Sequence, residues 1–166
     1  MRRIMIDESD HAAFVDTWLK SSTASLSPGA RVTFFEESLG ALWTCTRLTL
    51  GDVTLMAIMD RVLYNATEKF PFFSTLRVEA NRGFQGADLR ERAASVNDSE
   101  LTDGLRFVLV EFLTVIGTLT AEILTAELHA ELTKVVRAMS ALPARGAPGE
   151  ATPRGRGPTE DEDTKA

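Results

Sequence analysis

The sequence predicts a mainly α-helical chain with a small β-hairpin, an α+β domain built as a helical bundle around one long C-terminal helix, and three observations lead there. Leu55, Ile58, Met59, Val62, Leu63 and Ala66 trace an apolar stripe at helical spacing. After Pro71 the period changes to short, strand-compatible runs around the turn-forming residues Asn81 to Gly83. From Asn97 onward, capping residues at one end and Lys134 and Arg137 at the other bracket a single long apolar-periodic segment.

In chain order, Asp7 to Ala24 places Val15, Trp18 and Leu19 on one helical face with Phe14 beside it, and puts Asp7, Glu8 and Asp10 in the first turn, where the helix dipole favours carboxylates. Ser25 to Ala30, with Pro28 and Gly29, predicts a connector. Thr33 followed by Glu36 fits a capping box, and Leu39, Leu42, Trp43 and Leu50 continue at roughly helical spacing. Thr44, Thr46, Thr49 and Gly40 leave Leu42 to Leu50 open between helix and strand. Gly51 and Asp52 restart the chain before the stripe that ends at Pro71. The hairpin is expected over about 75–88 and the long helix over about 99–142. Residues 143–166, rich in proline, glycine and charge, are expected to be a disordered tail in which Arg154 and Arg156 precede the acidic run from Glu160 to Asp163. Residues 1–142 then form one domain.

A continuous helix over that last segment would be about 65 Å long, whereas a globular body of this size has a radius of gyration of only about 14 Å. Such a helix must break, project or pack along a second chain, and Gly104 and Gly117 are its weak points. Leu105, Leu109, Phe112, Ile116, Leu119 and Ile123 follow alternating four and three spacing, and after a phase slip near Leu124 so do Leu128, Leu132, Val135, Met139 and Leu142. The second series predicts a dimer interface through Leu128, Leu132, Val135 and Met139 in a coiled-coil-like contact. A helical hairpin broken at Gly117 is the competing monomeric arrangement.

Composition restricts the function classes. A net charge of −6 and a pI near 5.0 give no global positive field, which argues against nucleic acid. Phe107 to Leu124 has nearly the length of a membrane span but contains Glu111 and Glu122, so it is read as protein core and no membrane association is expected. The acids that follow Arg2 and Arg3 make the N-terminus unlike a signal peptide, and the single cysteine, Cys45, suits a reducing cytoplasm.

Candidate chemistry is sparse. His11 and Asp7, four apart on one helical face, are too few to hold a metal, and capping explains the carboxylates. Cys45, beside Trp43, reads as packing. Phe70, Phe72 and Phe73 around Pro71 suggest either hairpin packing or, with Trp43 and Met59, an apolar ligand pocket. Gly83 and Gly86 in GFQG match no phosphate-loop spacing. The segment ELHAELTKV, Glu127 to Val135, resembles the histidine-containing helix of sensor kinases over that stretch alone, with Ala130 where an acidic residue is usual. The resemblance implies a phosphoacceptor at His129 on a dimeric bundle.

The expected function is therefore a non-enzymatic regulatory or adaptor protein, set in bacterial signalling, that acts as a helical homodimer through contacts with another protein. No cofactor and no metal are expected. A small-ligand sensor with the pocket of Trp43, Met59, Phe72 and Phe73 is the first alternative, and histidine phosphotransfer through His129 the second.

Overall fold

The computed structural model describes residues 8–79 and 83–141. Asp7, Asn81, Leu142 and the tail expected from 143 onward lie outside the described residues.

Helix α1 (Glu8–Thr23) buries His11, Val15, Trp18 and Leu19, spaced so that all four share one face. Its last turn is tightened by Ser22 and Thr23, whose hydroxyls donate back to Trp18 and Leu19 carbonyls. Helix α2 (Pro28–Leu50) starts earlier than the Thr33–Glu36 pattern suggests. Ser27 is its N-cap, accepting from the Ala30 N–H at 3.3 Å, and Pro28 fills the first helical position, where a missing N–H costs nothing. Thr33 instead donates back to the Gly29 carbonyl. Glu36 reaches across the fold to accept from the Gly86 N–H at 2.7 Å and to pair with Arg90 at 3.0 Å.

Leu42 to Leu50 is helical throughout. Thr44 and Thr46 satisfy their hydroxyls on the carbonyls of Gly40 and Leu42, which removes the polar cost of threonine inside a helix. Gly51, at φ 76°, ends α2 in a conformation that side chains avoid, and Arg47 pairs with Asp52 at 2.7 Å across the turn. Helix α3 (Asp52–Lys69) then buries all six residues of its predicted stripe and ends two residues before Pro71, with Phe70 as its C-cap. A 3₁₀ turn (Pro71–Thr75) leads into strands β1 (Arg77–Glu79) and β2 (Gly83–Gln85), antiparallel with Val78 opposite Phe84.

A short helix α4 (Ala87–Arg92) and a 3₁₀ turn (Ala93–Ser95) connect to α5 (Asp98–Leu119), capped by Asn97, whose side chain accepts from the N–H groups of Ser99 and Glu100. The single helix expected over 99–142 is in fact two. Residues 120–124 form a turn, and α6 (Thr125–Ala141) follows. The phase slip near Leu124 marks the break, because no straight helix keeps both stripes against one core. Helices α2 and α5 are the hubs: α2 packs on α6, α3, α4 and α5, while α5 packs on α1, α3, α6 and α2.

The core runs between these hubs and includes Phe34, Phe35, Leu39, Leu42, Leu109, Phe112 and Leu132, each such side chain contributing roughly 1.5–3 kcal/mol by burial. Gly104 of α5 lies under the rings of Phe72 and Phe73, where a Cβ would stand 2.7 Å and 2.8 Å from ring carbons. Gly40 of α2 faces open space. Gly104→Ala should therefore lose about 1–3 kcal/mol of stability through forced ring displacement, whereas Gly40→Ala should gain about 0.5–1 kcal/mol from helix propensity. Urea denaturation of the two variants checks this, and equal effects would contradict the packing.

Candidate functional site

The turn between α5 and α6 brings together groups that are far apart in the chain. The Glu122 N–H donates to the Gly117 carbonyl at 2.8 Å and the Ala121 N–H to the Thr118 carbonyl at 3.4 Å, the paired bonds of a Schellman end. Glycine usually occupies such a position, but here Ala121 (φ 48°) and Glu122 (φ 64°) are both left-handed, a conformation costing roughly 1 kcal/mol or more per residue. The Glu122 carboxylate lies over Gly117, where a Cβ would stand 2.6 Å from its oxygen, and it accepts from the Thr125 hydroxyl at the start of α6.

By reversing the chain here, the turn sets His129 of α6 against His11 of α1, 118 residues away. His11 Nδ1 lies 3.3 Å from His129 Nε2, with the rings edge-on at 5.5 Å between centroids. Phe14 stacks on the other ring of the pair, His129, at 3.8 Å and within 4° of parallel. His11 is 1% exposed, and its Nε2 lies 3.5 Å from Glu122 Oε2, an ion-pair separation that lacks hydrogen-bond geometry.

These contacts choose a proton arrangement. A carboxylate can only accept, so the His11 proton belongs on Nε2, facing Glu122. Nδ1 then accepts from the Nε2–H of His129. The pKa of His129 lies below the usual histidine value, first because burial penalises the imidazolium and second because of His11, with Glu122 opposing both. Glu122 and His129 approach opposite nitrogens of His11, so no single ion position reaches all three, and among the described residues no group of three or more ligands could hold a metal.

Several sequence-predicted residues take different places. Leu128 and Leu132, expected between two copies, are fully buried within one chain, and the Leu132 carbonyl accepts from the Trp18 indole at 2.9 Å. Val135 and Met139 are partly buried against the same core. Trp43, Met59 and Phe73 are core residues and Phe72 is half-buried over Gly104, so these four side chains fill space. A groove of about 250 Å³ lies elsewhere, between the end of α1, Phe34, and Val136 to Ser140. His129 does not point outward: its Nε2 is aimed at His11 and its ring is covered by Phe14.

Sequence reasoning also missed a surface. Helices α2 and α6 run antiparallel, with Cys45 beside Glu127 and Glu131, and α3 and α5 run antiparallel, with Asn65 bonded to Glu111 and Lys69 over Phe107. The α2–α3 and α5–α6 turns therefore share one end of the bundle. Among the described residues, four of the five exposed large apolar side chains belong to that end: Leu48 at 90%, Val53 at 86%, Leu119 at 58% and Ile123 at 80%. Leu119 and Ile123 fitted the apolar stripe of a continuous helix, but the break turns them outward. No local signal in the sequence marks this end.

Cys45 is half-buried, and burial followed by the charge of Glu127 pushes its thiol up to about 11. Since the thiolate is the reactive form, iodoacetamide should alkylate Cys45 in the folded chain about 100-fold more slowly than in urea near neutral pH, and Glu127→Gln should recover part of the rate. Equal rates in the folded and unfolded chain would contradict this environment. Comparison with protein-family models, with curated proteins and with solved structures finds no match to this chain.

Proposed function

We propose that the protein is a non-enzymatic regulatory or adaptor module that self-associates through the apolar end of its bundle and works by protein contact. The observation that carries this reading is that Leu48, Val53, Leu119 and Ile123 are all exposed at the same end of the bundle. Isolated exposed apolar residues are ordinary, but a group of them at one place is characteristic of an association surface.

A second copy of this chain is the occupant that fits best. Beside the patch, Arg47 and Asp52 neutralise each other across the α2–α3 turn, which removes those two charges from an end-to-end contact between copies. The interface first expected through Leu128 and Leu132 is replaced in this reading, because those side chains are already covered by their own chain. No helix among the described residues is long and apolar enough to cross a membrane.

The reactive groups are otherwise engaged, which favours contact over catalysis. Cys45 holds its proton, His129 is paired, and Trp43, Met59 and Phe73 are packed in the core. Sedimentation velocity at roughly tens of micromolar should show a dimer in reversible exchange. Leu48→Glu and Ile123→Glu should each weaken it at least about tenfold by burying a charge, while Tyr64→Glu on the exposed face of α3 should leave it unchanged. A strictly monomeric wild type, or equal effects of all three substitutions, would overturn the proposal.

A further inference from the structure

We propose that the His11–His129 contact is an acid-released latch: it holds α1 on α6 while at most one extra proton resides on the pair, and it opens when both imidazoles are charged. In the neutral pair Nε2–H of His129 donates to Nδ1 of His11, while Nε2–H of His11 faces the Glu122 carboxylate at 3.5 Å without hydrogen-bond geometry. One added proton is tolerated as well. Across the 3.3 Å contact one ring nitrogen still donates and the other still accepts, so the hydrogen bond between the rings survives. A second proton leaves two N–H groups pointing at each other across 3.3 Å and two positive charges at a ring that is 99% buried.

Among the described residues, Glu122 from the α5–α6 turn is the carboxylate paired with the His11 ring, and it is shared with the Thr125 hydroxyl of α6. On α6, Glu127 and Glu131 face Cys45 of α2 instead, and Lys134 takes Glu131 at 2.5 Å. Between α1 and α5, Asp16 and Arg106 neutralise each other at 2.5 Å. Phe14 adds only an apolar lid.

The direction of the pH effect follows. His129 has a folded pKa below that of the unfolded chain, so its contribution to stability is complete above about 6.5 and is lost as pH falls from there toward the folded value. Opening should grow about tenfold per pH unit in that window for each proton taken up. Glu122 sits between Leu119 and Ile123 in the chain, so opening also loosens the apolar end, a consequence that rests on the self-association reading above.

Hydrogen exchange tests the latch. Between pH 7.5 and 5, corrected for intrinsic rates, α1 and α6 should lose protection relative to α3 in the wild type. His129→Gln, which hydrogen bonds without titrating, should flatten that dependence. Glu122→Gln, which removes the counter-charge, should move the opening to higher pH. The same dependence in wild type and His129→Gln would overturn the proposal. Nitrogen shifts of the two imidazoles in the wild type provide the check should His129→Gln fail to fold: uptake of two protons with α1 protection unchanged would equally overturn it. Sedimentation over the same range separates the two readings, because a chain that opens in acid while monomeric at every pH keeps the latch and refutes the patch.

Discussion

The reversal of the chain at residues 120–124 is the constraint on which the other features depend. Were α5 to continue straight, the apolar face of α6 would leave the bundle, and α2 would lose the cover that Leu128 and Leu132 provide. The turn is made without glycine at its left-handed positions, so Ala121 and Glu122 carry a conformational cost. What offsets it is local and long-range at once: the Schellman bonds to Gly117 and Thr118, the Thr125 hydroxyl on Glu122, and the burial of α6 against α2 and α1. Gly117 matters here through the absence of a side chain, because a Cβ would occupy the place of the Glu122 carboxylate.

Reversal also explains why polar groups gather at one end. It brings His129 back to His11, places Glu122 beside the same ring, and exposes Leu119 and Ile123 next to the α2–α3 turn. A buried imidazole pair is sensitive to proton number, since each ring changes from donor-and-acceptor to donor-only when charged. The apolar end is insensitive to pH by itself. Coupling between the two would pass through a turn five residues long, which is a short physical path.

Much of the fold was legible in the sequence because local patterns carry it. The α3 stripe, the Gly51–Asp52 restart, the stop before Pro71, the pairing of β1 with β2 and the Asn97 cap all depend on residues near one another in the chain. The Thr33–Glu36 pattern misled because Glu36 serves a distant partner, Gly86, and Ser27 with Pro28 already starts the helix. The long helix misled for a related reason: Ala121 and Glu122 are ordinary helix formers, and only burial of α6 forces them into a turn. The His11–His129 pair was illegible as a pair, since nothing local connects residues 118 apart. In the sequence one histidine stands near Asp7 and the other in ELHAELTKV, and only the fold sets Nδ1 of His11 against Nε2 of His129.

The central claim, that α6 folds back on its own chain and seats His129 between His11 and Phe14, is tested most directly by nuclear Overhauser contacts between these rings in an isotope-filtered sample. The sample is prepared by unfolding and refolding a mixture of labelled and unlabelled chains. The account predicts strong contacts from the His129 ring to Phe14 within one chain, at the 3.8 Å stacking distance, and none between chains. Contacts that arise only between labelled and unlabelled chains would mean that α5 and α6 run straight into a partner, and their complete absence would mean that the turn does not place His129 there. Either result would contradict the account.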